Sequence, residues 1–223
     1  MVRKLAALAL FMAPALAGAQ VLEDFEHGNP GLYTMAGGTN NNMTIIPAAA
    51  HNGQLGANFG SGSGPAFYYR TDIATSAGNQ YYSYFRYSGN GRIYMGVNAG
   101  PGGAWSAVGA PNTSQIILQN NTGWGFVNAA TAAATFAQNT WYVLYLDWAA
   151  NGDMTVKLYD EAMTNLLAQT TPYPTGLTGT GGLSWRGFGT TTGNYFQADT
   201  FTRVPEPAAL LGLFALALVA RRR

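Results

Sequence analysis

The chain has 223 residues, 48% of them hydrophobic and only 9% charged, with a formal net charge of +1 and no cysteine. Five of the eleven basic residues lie at the ends (Arg3, Lys4, Arg221, Arg222 and Arg223), so residues 20–203 carry six basic against nine acidic side chains, a net charge of −3. A sparsely charged, mildly acidic body lacks the clustered Lys and Arg that neutralise phosphates, which excludes nucleic acid as a partner.

The first element is Met1-Val2-Arg3-Lys4 followed by an apolar run over residues 5–17, with small residues at Ala17 and Ala19 before Gln20. A positive start, a short apolar helix and a small-x-small site make a secretory signal peptide over residues 1–19, cut before Gln20 after delivery to the Sec machinery. The run is too short to span a hydrocarbon core of about 30 Å comfortably, so it is not read as a lasting anchor. The remaining body is large enough to bury a core without disulfides or a structural metal.

Short apolar and aromatic runs then alternate with Gly/Asn/Pro turns. Strands are expected at residues 21–26, 43–47, 66–70, 81–87, 92–98, 115–119, 123–128, 141–148, 154–159, 183–188 and 195–203. Many short strands without a convincing long helix define an all-β fold, an antiparallel two-sheet sandwich. The Ala-rich stretch 129–137 fits a helical turn, a loop or a strand equally well. The firmest local feature surrounds residue 150. Tyr142, Leu144, Leu146 and Trp148 alternate with Val143, Tyr145 and Asp147; after Asn151-Gly152, Met154, Val156 and Leu158 alternate with Thr155, Lys157 and Tyr159. Two period-two runs joined through Asn-Gly predict a hairpin with one buried face.

Asp24 and Glu26, two apart on the first expected strand, place their carboxylates on one face. A retaining glycosidase uses two such carboxylates about 5–5.5 Å apart. The spacing here supplies only one pair, however, and the rest of the body adds only Glu23 and Glu161 as glutamates, so catalysis is not expected. His27 and His51 form no zinc motif, and Gly60-Ser61-Gly62-Ser63-Gly64 lacks the Lys-Ser/Thr ending of a phosphate loop, so it reads as a turn or flexible segment. Aromatics on both faces of 81–87 leave one set pointing outward. Tyr82 and Tyr84, with Tyr145 and Tyr159 of the hairpin, are candidates for a platform on which sugar rings stack, although tyrosine also serves sheets structurally.

The last element is Val204-Pro205-Glu206-Pro207, an apolar run over 208–220 and Arg221-Arg222-Arg223. Two prolines discourage helix before the run. The run reads as a helix of about 20 Å, short of the ~20 residues a stable span needs. Its arginines are expected to stay cytoplasmic. The order of parts resembles the PEP-CTERM sorting domain, which exosortases recognise in Gram-negative bacteria that make extracellular polysaccharide. That resemblance implies an exosortase-type processing enzyme as partner and a transient inner-membrane intermediate. Cleavage near Pro205-Glu206-Pro207 would leave a product at the cell surface or in the extracellular matrix.

Across the body, Trp141-Tyr142, Leu144, Leu146-Asp147-Trp148, Gly152, Val156 and Leu158-Tyr159-Asp160 resemble the late hairpin of concanavalin-A-like, laminin-G/lectin-type jelly rolls. Residues 181–189, Phe196-Gln197-Ala198-Asp199 and residues 21–26 are similar to that family's closing and opening strands. The resemblance implies a jelly-roll fold and by itself no activity; taken together with the tail, it leads to the expectation of a body that contacts extracellular polysaccharide. It also implies an opening and a closing strand that lie together and share a structural Ca²⁺, for which Asp24, Glu26 and Asp199 are the carboxylates to test.

Overall fold

The computed structural model describes residues 18–205. Residues 1–17 of the expected signal segment and the tail from Glu206, with their expected helices, lie outside the described residues; Ala19 and Gln20 are exposed at the start of the first strand.

Strands are numbered in chain order. β1 (Gln20–Glu23), β3 (Met43–Ile46), β4 (Gly56–Phe59), β6 (Asn79–Tyr87), β11 (Tyr142–Trp148), β12 (Asp153–Asp160), β13 (Leu166–Gln169), β14 (Tyr173–Pro174) and β16 (Phe196–Pro205) form one sheet. Its order is β13-β12-β11-β6-β16-β4-β3, with β1 also against β16 and β14 against β12. The second sheet contains β2 (Thr34–Ala36), β5 (Phe67–Ser76), β7 (Gly91–Gly100), β8 (Gly103–Ala110), β9 (Gln115–Asn120), β10 (Val127–Ala133) and β15 (Thr180–Gly189). It runs β10-β9-β8-β7-β15-β5-β2. The result is an all-β, antiparallel, jelly-roll-like sandwich. Three-residue 3-10 turns are its only helical segments among the described residues, and none of these is long and apolar enough to cross a membrane.

Alternation sets the two faces of each strand. On β6, Tyr81, Ser83, Phe85 and Tyr87 are buried inward while Tyr82, Tyr84 and Arg86 point outward. Leu144, Leu146 and Trp148 of β11 and Met154, Val156 and Leu158 of β12 meet Met95, Val97, Leu118 and Trp185 of the facing sheet in one core. Buried aromatic tips find partners, as burial demands: Trp148 Nε1 donates to Leu177 O (2.9 Å), and Tyr81 OH donates to Ser76 O (3.0 Å). The predicted hairpin forms in register from Tyr142 opposite Asp160 to Trp148 opposite Met154. Gly152 supplies the left-handed turn at φ 90°.

Three expected strands change their bounds, and the Ala-rich stretch, left open by its sequence, takes strand form as far as Ala133. Residues 123–128 are not a strand, because Thr122–Trp124 is a 3-10 turn and pairing resumes at Val127. The Ala-rich stretch becomes β10 because β9 offers it a partner. The first strand ends at Glu23: Phe25 has φ 61°, and the Asp24 carboxylate accepts the Glu26 N–H (3.1 Å), so Asp24 and Glu26 lie on a turn. At the other end Val204 is buried and pairs with Gln80, and Pro205 pairs with Asn79, so the last strand extends two residues beyond 203.

Candidate functional site

The outward faces of β6, β11, β12 and β16 form a tyrosine-rich surface. Tyr82 and Tyr145 lie parallel with ring centroids 6.3 Å apart, and Tyr84 meets Tyr82 edge-on at 6.1 Å. Tyr159 meets Tyr145 edge-on at 5.8 Å, and Lys157 lies 5.4 Å from the Tyr145 ring centre while pairing with Asp147 (3.2 Å). All four candidate tyrosines therefore belong to one connected face. Tyr145 is its foundation, being buried and hydrogen-bonded to Gln80, whereas Tyr82, Tyr84 and Tyr159 are half-exposed. Burial pushes the Tyr84 and Tyr145 pKa values up, so both hydroxyls stay protonated at neutral pH.

One wall of this face is the 51–55 loop, and two acidic side chains pin it. Asp199, fully buried on β16, accepts the N–H groups of His51 and Asn52, each at 2.7 Å. Glu26 accepts those of Gln54 (2.7 Å) and Leu55 (3.0 Å) through the same oxygen. Charge-assisted bonds of this kind are about twice as strong as neutral ones. Burial raises the Asp199 pKa, and the two N–H donors act against that rise. His51 then stacks on Tyr84 (3.8 Å), packs edge-on against Trp141 (4.9 Å) and lies 2.9 Å from the Glu161 carboxylate. Arg86 covers Trp141, with its guanidinium carbon 4.8 Å from the ring centre, and is held by Gln197 (2.6 Å).

Between loop and sheet opens a pocket of about 400 Å³ lined by Asp24, Glu26, Asn52, Tyr82, Tyr84 and Thr202, among others. It thus joins two predicted groups, the first pair of carboxylates and the first pair of tyrosines. Tyr145 and Tyr159 support the adjoining surface. The calcium grouping fares differently. Among the described residues no three His, Cys, Asp or Glu side chains cluster to hold a metal ion. Glu26 and Asp199 each use one oxygen to accept backbone N–H groups. His51, Asn52 and Trp141 were missed as site residues, since only long-range pairing brings them to the tyrosines.

No protein-family model matches the sequence, and no curated protein matches it. The likeness of its last twenty residues to a sorting signal therefore stands on those residues alone. Solved structures do resemble the body. A carbohydrate-binding module, CBM66, from Bacillus subtilis superposes with a TM-score of 0.54 at 10% identity, over 84% of this chain and 95% of the module. A legume lectin-like domain from Entamoeba histolytica gives 0.51 at 10% identity, over 82% and 97%. A transglycosylase in complex with NAG gives 0.50 at 11% identity, over 86% of each chain. The body has the legume-lectin-like jelly-roll fold. At such identities the likeness fixes the architecture and leaves activity to be argued from the site.

Proposed function

We propose that this chain is an exported surface or matrix protein whose body contacts extracellular polysaccharide, without catalysis, through the pocket at Tyr82 and Tyr84. The observation that carries the reading is the composition of that pocket: aromatic rings beside carboxylates, an amide and hydroxyls. A sugar ring needs this combination, apolar surface for its C–H face and acceptors for its hydroxyls. The carbohydrate-binding module and the lectin-like domain that share the fold support it, and the signal segment and sorting-type tail favour export. A hydrolase reading draws on Asp24 and Glu26 in the same pocket and on the transglycosylase of the same fold. It is weakened because the Glu26 oxygen nearest the loop already accepts two N–H groups.

The test is titration calorimetry with purified bacterial exopolysaccharides. Tyr82→Ala, Tyr84→Ala and the exposed Asn52→Ala should each weaken binding about tenfold, roughly 1.4 kcal/mol. The reading fails when folded wild-type protein binds no polysaccharide or the variants bind as well as wild type. Polysaccharide cleavage abolished by Glu26→Gln would establish the hydrolase instead.

A further inference from the structure

The opposite side of the sandwich holds a cation that the tyrosine pocket does not use. On β15, Arg186 follows the core residue Trp185 and so points out of the seven-stranded sheet, beside Tyr94 of β7 and next to Phe67 of β5. It is only 7% exposed. Its guanidinium carbon lies 4.7 Å from the ring centres of Phe126 and of Phe188, 4.9 Å from that of Tyr94 and 5.3 Å from that of Phe67. The Nε–H donates to Pro65 O at 3.1 Å. Among the described residues Arg186 forms no ion pair, whereas Arg70 and Lys157 each do. Its neighbour Arg92, opposite Phe188, donates to the Asn112 amide oxygen (3.2 Å) and likewise pairs with no carboxylate there. An acidic body therefore carries a locally positive spot around a buried guanidinium.

Arg186 also borders open space. Arg186 and Phe188 line a pocket of about 730 Å³, rimmed by Ser61, Ser63, Thr190 and Thr192, and no acidic residue lines it. The Gly-Ser-Gly-Ser-Gly segment that fails as a phosphate loop forms one rim. Burying a guanidinium without a counter-charge is costly, and surrounding rings offset only part of that cost. Burial accordingly lowers the Arg186 pKa, with Tyr94 acting against the shift and Arg92 adding to it. A planar guanidinium fork matches a carboxylate with two parallel hydrogen bonds. The pocket is far larger than a free ion needs and falls in the range of small-molecule sites. The Phe188 ring in its wall suits C–H groups and its hydroxyl rim suits further hydroxyls.

We infer that this pocket is a second glycan site, specific for an acidic sugar, with the carboxylate of a uronic acid residue received by Arg186 and its ring packed against Phe188. The inference extends the polysaccharide reading to a charged ligand class and a different face. Titration of the protein with short oligogalacturonates tests it, with neutral galacto-oligosaccharides and inorganic phosphate in parallel. Oligogalacturonate should bind at least about tenfold more tightly than either control, and more weakly as salt rises. Thr192→Glu and Ser63→Glu put a negative charge on the exposed rim. They should weaken oligogalacturonate binding at least about tenfold with unchanged melting, while Arg186→Lys keeps the charge, loses the fork and should bind less well than wild type. Equal binding of neutral and acidic sugars, or rim variants that bind like wild type, would overturn the site. Phosphate binding equal to oligogalacturonate would overturn the sugar assignment. Tyr84→Ala should leave oligogalacturonate binding intact; if it abolishes it, the acidic sugar sits on the tyrosine face, and this inference falls while the earlier one stands.

Discussion

Asp199 is the sharpest test of how the tyrosine pocket is built. Its Oδ2 holds two backbone N–H groups at 2.7 Å, its Oδ1 has no hydrogen-bond partner among the described residues, and the side chain is fully buried. A hydrogen bond to a charged group contributes about 1.5–3 kcal/mol, so two give roughly 3–6 kcal/mol before the cost of burying the carboxylate is subtracted. Asp199→Ala should therefore destabilise by about 2–4 kcal/mol, and Asp199→Asn, which keeps an acceptor oxygen, by about 1–2 kcal/mol. The sign of the pH dependence follows from the raised pKa. Acidification protonates the native side chain before the unfolded one, so its contribution rises as pH falls through the folded pKa and levels off below the unfolded value near ~3.9. The stability of wild type relative to Asp199→Asn should accordingly increase from neutral pH toward pH ~4. Urea titration at several pH values measures both effects, and hydrogen exchange at the His51 and Asn52 amides reports the loop directly. An Asp199→Ala protein within about 0.5 kcal/mol of wild type, the usual range of neutral surface changes, with its loop amides still protected, would refute the claim that this carboxylate holds the pocket wall.

Two further substitutions probe the scaffold. Glu23, 4% exposed, accepts the Phe25 N–H, the Tyr33 hydroxyl and Arg70 Nη1, each at 2.8 Å. Glu23→Ala should cost about 3–5 kcal/mol in urea titration, and combining it with Arg70→Met should cost less than the sum. Gly152 has φ 90°, and a Cβ there would come within 2.9 Å of the Leu177 backbone. Gly152→Ala should lower the melting temperature by a loss of about 1–3 kcal/mol, and an unchanged melting curve would show that the turn relaxes freely.

What the sequence reveals is what local periodicity encodes. The β11–β12 hairpin is legible because its inward residues alternate and Asn-Gly marks its turn. The same alternation puts Tyr82 and Tyr84 on the outer face. β8, Gly-Ala-Trp-Ser-Ala-Val-Gly-Ala, is buried on both faces and made mostly of small residues, so it carries no period to read. The run that becomes β10 has no preference of its own, and its conformation is decided by β9. Asp24 and Glu26 are expected to share a strand face; they line one pocket instead through a turn that the left-handed Phe25 makes. The loop that completes the pocket depends on hydrogen bonds between Asp199 and residues about 150 positions earlier. Nothing local to residues 51–55 announces that partnership.

β16 links the core, the pocket wall and the C-terminal end of the fold. It sends Phe196, Ala198 and Phe201 into the core and Asp199 to the loop, and it carries Val204 and Pro205, the first half of the proposed sorting motif, into pairing with β6. If the tail is processed as proposed, a cut that leaves the sheet intact falls beyond Pro205. Gln20, the residue expected to follow signal cleavage, lies opposite Arg203 and accepts a hydrogen bond from it. Both processed ends would then emerge at the same end of β16. Val21 and Thr202, the next pair in that register, line the tyrosine pocket. A body attached through its C-terminus would hold that pocket next to the surface carrying it, whereas Arg186 occupies the outer side of the other sheet. Two glycan sites on opposite faces would let one small sandwich bridge the layer it is attached to and acidic polysaccharide outside it.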